Sequence, residues 1–192
     1  MAGGYDQRST AQILSPASRP GANFTTGGVV QQVQQLNQLV TTKYTIQTVV
    51  GRGNEGGIFG IGKDKILLVA QGRVIAGLDL SQLKESDVQV ASDGSSVTVK
   101  LPPARIFDYY LIEQNTFVYD RDTGIWPPAD PNLETEARRA ALDEILSSAC
   151  EAGVMQEAND NAVRAIEQLL RALEFQRVTV IPSSNSKCEA PA

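Results

Sequence analysis

Histidine is absent from all 192 residues. Within one chain that removes Ser-His-Asp and Cys-His nucleophilic sites, histidine general bases, and histidine-ligated zinc or haem. Cysteine is scarce. Cys150 and Cys188 are too few for a four-thiolate zinc site and do not form a C-x-x-C motif. Whether they pair with each other depends on their distance, which sequence does not give, so the redox compartment stays open. Long apolar runs are missing too. A membrane span needs ~20 residues, and the best candidate, Ile66 to Leu78, is broken by Gln71, Gly72 and Arg73. The first residues lack the basic and apolar regions of a secretory signal. As written the chain reads as soluble, with its localisation unknown. Positive charge is also short: 17 Lys and Arg against 22 Asp and Glu give a net charge of -5, which argues against a nucleic-acid partner. The basic pair Arg138-Arg139 sits among Glu134, Glu136, Asp143 and Glu144 and reads as a solvated helix face.

What remains is an ordinary globular composition, 42% hydrophobic, in a chain long enough for one cored domain. Residues 1–27 are rich in Ala, Gly, Ser, Thr and Pro and read as a polar N-terminal arm. Residues 183–192 read as a polar C-terminal tail, leaving residues 28–182 as a single domain. Val29, Val33, Leu36 and Val40 recur at helical spacing, so the spacing predicts an N-terminal helix across 28–42 with a glutamine-rich opposite face. Strand signals follow in "KYTIQTVV" and in "KILLVAQGRVIAGLDL", where Gly72 suggests a bend or bulge. "SDVQV" and "SSVTVKL" flank Asp93-Gly94 as a hairpin. "LPPARIF" reads as a strand exit into a loop or short helix, because Pro102 and Pro103 lack donors. "EQNTFVYD" reads as a strand and "RDTG" as a turn. Ala137, Ala141, Ile145 and Ala149 mark a helix over Leu133–Cys150, with Gly153 at its C′ position. Ala162, Ile166, Leu169, Leu170 and Leu173 mark a second over about Met155–Leu173, making an antiparallel pair. "FQRVTVIP" is a final strand. The order predicts an α+β fold: an N-terminal helix, an antiparallel sheet of five or six strands, a helix pair and a returning strand.

The stretch "VVGRGNEGGIFGIGKDK" matches two phosphate-binding patterns, G-x-G-x-x-G at Gly51, Gly53 and Gly56, and G-x-x-x-x-G-K at Gly57, Gly62 and Lys63. Both need a helix directly after the loop, whose N–H groups meet the phosphate. Here glycines recur through the next residues, each costing about 1 kcal/mol in a helix, and Asp64 stands where Ser or Thr should hold Mg²⁺. A hairpin loop is the expectation, with Ile58, Phe59 and Ile61 either docking a partner or tucked onto the sheet. Asp79 in "GLDLS" is expected to cap a turn. "YDRDTG" starts like a calcium loop, but Gly124 falls one position early and Pro131 replaces the required glutamate, so a turn is favoured. "NFT" at Asn23 fits a glycosylation sequon. Trp126, with Tyr109, Tyr110 and Tyr119 upstream, reads as core and rim packing before a ligand platform.

The order of "GRVIAGLDLSQLKESDVQV", "VTVKLPPARIF" and "EAGVMQEANDNAVRAIEQLLRALEFQRVTVI" resembles the uncharacterised bacterial family called domain of unknown function forty-two thirty. The matching pieces are Gly77 to Ser81, Leu101-Pro102 and Ala158 to Val178, within residues 28–182. The resemblance implies no activity, cofactor or catalytic residue. It implies a membrane helix before the domain, where this chain has a polar arm. It also implies a glycine where Glu174 stands, so that the helix exit there is expected to close differently.

No catalytic, cofactor-binding or metal-binding residue is nominated. The expectation is a non-enzymatic interaction or accessory subunit of a larger assembly, peripheral association with a membrane being compatible with it. A protein partner would be contacted by the N-terminal arm and tails, with Val29, Val33, Leu36, Val40, Ile58, Phe59, Ile61 and Trp126 as candidate partner-binding residues. The alternatives are a small-molecule or lipid-binding module using the Gly-rich loop, and a carboxylate hydrolase built on Asp79 and Asp108.

Overall fold

A computed structural model describes residues 25–57, 61–124, 126, 128–184 and 186–191. The predicted N-terminal arm lies almost wholly outside the described residues, as do Asn23, Ile58 and Phe59. Helix α1 spans Thr26–Gln34, and the Thr25 hydroxyl accepts from the Gly28 amide at 3.2 Å as its N-cap. It is shorter than its apolar stripe predicts. Asn37 adopts a left-handed φ of +50° and turns the chain into strand β1, Gln38–Asn54. Pairing of Leu39 and Val40 with the end of the next strand overrides the helical spacing, so Val40 belongs to a strand.

Strand β2, Asp64–Asp79, pairs antiparallel with β1 along its whole length. Its other edge is shared end to end by two strands. β5, Ala104–Leu111, pairs with Gly72 to Leu78, and β6, Phe117–Thr123, pairs with Asp64 to Val69. Gln71 marks the junction: its carbonyl accepts from the Ile112 amide at 2.7 Å, and its amide donates to the Thr116 hydroxyl at 3.3 Å. Two sequence expectations change here. "ARIF" is in the ladder as the start of β5, because the two prolines before it need no pairing and Ala104 and Ile106 alternate inward. "YDRDT" is strand rather than turn, and Asp122 faces Lys65 across the pair. Gly72 is no bulge, since the β1 register runs through it unbroken. A Cβ there would meet Ile145 Cδ1 at 2.8 Å and the Tyr110 carbonyl at 2.9 Å, so the glycine lets a helix approach the sheet.

A second sheet replaces the single one expected. β3, Val88–Val90, and β4, Ser96–Lys100, form the predicted hairpin, with Gly94 at φ +68°, and β7, Arg177–Ile181, joins β4 in parallel. Asp79 caps the intervening turn by accepting from the Ser81 amide at 3.2 Å.

Helix α2, Leu133–Glu151, and helix α3, Val154–Ala172, are joined by Ala152 and Gly153, the latter at φ +85°. The buried side chains of α2, Leu133, Ala137, Ala141, Ile145 and Ala149, fall at intervals of four along one stripe. Its first turns pack on Val50, Ile66, Leu68 and Ala70. α3 takes over at the other end of the same strands. Asn161 Nδ2 donates to the Thr41 carbonyl and the Thr42 hydroxyl, each at 3.0 Å, and the Thr41 hydroxyl donates to the Ala158 carbonyl at 2.9 Å. These bonds satisfy the irregular register at Val40 and Thr42 and the buried Thr42 hydroxyl. α3 ends on Glu174, which takes a φ of +67° despite its side chain. The exit therefore closes in the left-handed conformation a glycine would adopt, at a cost of roughly 1 kcal/mol.

The C-terminal segment is tied to the domain. Cys150 on α2 and Cys188 form a disulfide with a Cα–Cα distance of 5.8 Å. The Ser186 hydroxyl accepts from the Ala104 amide and from Asn159 Nδ2, each at 3.0 Å.

Candidate functional site

Successive side chains of a strand point to opposite faces, and in this sheet the two faces have different fates. Ile66, Leu68, Ala70, Val74, Ala76 and Leu78 of β2 are fully buried under α2 and α3. The odd-numbered residues of β2 point the other way, where none of the described elements covers them. Register places Lys65, Leu67, Val69, Gln71, Arg73 and Ile75 down the middle of this open face. Val49 lies beside Val69 on β1, and Phe117 beside Val69 on β6, so the three form one apolar row. Tyr119 is the extra residue where the β6 register shifts against Leu67. Val49, Phe117 and Tyr119 are 56%, 52% and 70% exposed, high for large apolar side chains sharing one surface.

Charge rims this apolar centre. At the hairpin end, Lys63 pairs with Asp122 and Lys65 with Glu55. The Asp122 carboxylate raises the Lys63 pKa, and the hydrogen bond from Lys65 lowers that of Glu55. At the opposite end, Lys43 and Asp108 flank Ile75, and Tyr110 lies beside Arg73. The loop after β6 is fastened to the hairpin loop by the Gly62 amide donating to the Trp126 carbonyl at 2.6 Å. Ile61 and Trp126, 57% and 69% exposed, extend the apolar surface around the hairpin tip.

Asp64 anchors that end from the helix side. It accepts from Arg121 Nε at 3.2 Å and Nη2 at 3.0 Å, from the Thr123 hydroxyl at 3.2 Å and from the Asp130 amide at 2.6 Å. The Arg121 hydrogen bonds, then that from the Asp130 amide, hold its carboxyl below the usual aspartate range. A depressed carboxyl stabilises the fold above its unfolded pKa and loses that contribution as pH falls through the folded one. Wild-type protein should therefore lose urea resistance below about pH 4 more steeply than Asp64→Asn. Parallel slopes for the two proteins between about pH 7 and pH 3 would mean that Asp64 does not hold this corner.

The candidates nominated from sequence separate here. Val29 and Val33 are fully buried in the main core and are not free for a partner, because α1 packs its apolar stripe against its own domain. Leu36 lies in the turn after α1 and Val40 on β1, so no four-residue helical stripe exists. Ile61 and Trp126 are exposed at one end of the molecule. Val49, Phe117 and Tyr119 were not nominated, although "TVV" and "TFVYD" each place an apolar residue on both faces of a strand, which is the legible signal of a second apolar face.

The Gly-rich stretch is the β1–β2 hairpin, with Gly51 and Gly53 inside β1 and no strand-to-helix turn for a phosphate. Gly53, Asn54, Gly62, Asp64, Asp130 and Glu136 line a cavity of about 410 Å³ at its base. That cavity is acidic, and Asp64 is already engaged by the bonds described above. Asp79 accepts from its own turn and lies 3.4 Å from Arg105 Nη2, a capping arrangement rather than a free nucleophile. Among the described residues no helix is long and apolar enough to cross a membrane.

The molecule is thus an α+β domain in which two helices cover one face of a long-stranded sheet and leave the other open. The chain belongs to the family described as Protein of unknown function (DUF4230), whose model matches residues 31–180. No curated protein and no solved structure matches it.

Proposed function

We propose that this chain is a non-enzymatic interaction domain, an accessory subunit of a larger assembly, whose open sheet face docks a protein partner. The observation that carries the reading is the row Val49–Val69–Phe117 with Tyr119 beside it, apolar and uncovered by any described element. Interface centres are enriched in such aromatic anchors, with charged residues displaced to the rim. The rim mixes acids with bases, Glu55, Asp108, Asp120 and Asp122 among Lys43, Lys63, Lys65 and Arg73, which favours a protein over an anionic lipid surface, since the latter attracts basic clusters. The Cys150–Cys188 disulfide supports an oxidising compartment for the assembly, since thiols elsewhere are kept reduced.

The test is retention of a stoichiometric partner by the full chain and by Phe117→Asp, purified gently from native extracts and quantified by mass spectrometry. A central aromatic anchor contributes about 2 kcal/mol, so the variant should bind roughly 30-fold more weakly while keeping the wild-type circular dichroism. Equal retention by both proteins would remove the open face from the reading.

A further inference from the structure

We propose that the partner on the open face is a second copy of this chain, packed sheet against sheet about a two-fold axis that crosses the strands at Val69. This rests on the docking reading above and names its occupant.

Three observations converge. The first is size. β2 is 16 residues long, about 50 Å at ~3.3 Å per residue, and three strands at ~4.8 Å make a face about 14 Å wide. The resulting ~700 Å² is close to the ~800 Å² that each partner gives to a standard interface. The second is the position of the apolar centre. The Val49–Val69–Phe117 row lies near the middle of β2, with Leu67 and Tyr119 on one side and Gln47 and Gln71 on the other. A two-fold axis through that row places apolar centre on apolar centre, as an isologous contact requires.

The third is charge, and it decides the direction of packing. An axis across the strands keeps β1 over β1 and reverses the order of rows. The row at Ile75 then faces the row at Lys63. Lys43, beside Ile75 on β1, meets Glu55, which follows β1 at the hairpin end. Asp108, beside Ile75 on β5, comes diagonally opposite Lys63. Tyr110, beside Arg73, meets Asp122, beside Lys65. These pairings are of opposite sign or are hydroxyl on carboxylate and symmetry repeats them; the same operation sets Arg73 over Lys65 on β2, one like-charge contact against three favourable ones. An axis along the strands would instead keep each row over itself and exchange the outer strands, setting Lys43 on Asp108 but Lys63, Lys65 and Arg73 each on its own copy.

Sedimentation equilibrium of the full chain tests this directly. The wild-type protein should run at twice the 20.6 kDa of one chain. Phe117→Asp should run as a monomer. Lys43→Glu and Glu55→Lys should each weaken self-association by about tenfold, because symmetry makes each substitution strike twice. The double variant should return to within about threefold of wild type, which a protein that merely misfolds would not do. A wild-type monomer at ~100 μM, a dimer indifferent to Phe117→Asp, or a double variant no better than either single one overturns the proposal. A monomeric wild type whose Phe117→Asp variant still loses a different partner overturns the second copy and keeps the docking face. A monomer with unchanged partner retention overturns both.

Discussion

Gly77→Ala is expected to lower the thermal midpoint by about 6–12 °C. Gly77 faces Val40 across the β1–β2 pair, where the register of β1 shifts before Thr42. A Cβ at this position would lie 2.1 Å from the Leu39 carbonyl oxygen and 2.8 Å from Phe107 Cε2. The first neighbour is backbone inside a ladder, so it cannot swing away as a side-chain tip would. Overpacking of this kind costs about 3 kcal/mol, and each kcal/mol moves the midpoint of a domain this size by roughly 2–4 °C. Gly51→Ala is the matched control: it lies in the same hairpin, with nothing within 4 Å of its added Cβ. Calorimetry on the two variants should separate them clearly. A Gly77→Ala midpoint equal to that of Gly51→Ala would mean that the β1 irregularity is loose enough to absorb a methyl group.

Loss of the Cys150–Cys188 disulfide should have an effect of similar size by a different route. The bridge closes a loop 38 residues apart in sequence. Chain entropy assigns about 4 kcal/mol to a loop of that length, mainly by restricting the unfolded chain. The Cys150→Ser, Cys188→Ser double variant, or wild type under reductant, should therefore melt about 8–16 °C lower. A local signature should accompany the shift. Freed at Cys188, the segment loses its covalent tie and is held near it by the Ser186 bonds to Ala104 and Asn159, so residues 186–191 should become the first site of proteolytic cutting. A reduced protein that melts with the oxidised one and resists protease there would show that the bridge adds nothing to this fold. Partner retention measured on the same variant would separate the bridge's effect on stability from any effect on docking, because the open face lies on strands the bridge does not touch.

Local pattern and tertiary pairing divide the account of this chain unevenly. The two C-terminal helices are legible because Ala137, Ala141, Ile145 and Ala149, then Ala162, Ile166 and Leu170, repeat at intervals that only a helix turns to one side, and Gly153 supplies the left-handed link. The hairpin at Asp93-Gly94, the cap at Asp79 and the Gly-rich hairpin between β1 and β2 are local matters of turn chemistry, and they read correctly for that reason. The N-terminal helix misleads from Leu36 onward, since the same valine and leucine spacing suits a strand once β2 offers it a ladder. β5 is hidden by the prolines before it. The pairing of Cys150 with Cys188 depends on where β7 leaves the tail, and the parallel joining of β7 to β4 depends on α3 carrying the chain back across the domain.

The open face is the clearest case. Sequence by itself determined that Val49, Val69 and Phe117 are apolar residues in strands, that the chain has no histidine, and that its charge is balanced slightly toward acid. It did not determine which face of those strands the helices would cover, because strands with apolar residues on both sides have no local reason to prefer one. Only the tertiary structure decided that. Gly72, lacking a Cβ, let Ile145 and its helix settle on the even-numbered face of β2, and the odd-numbered face was left to the solvent or to a partner.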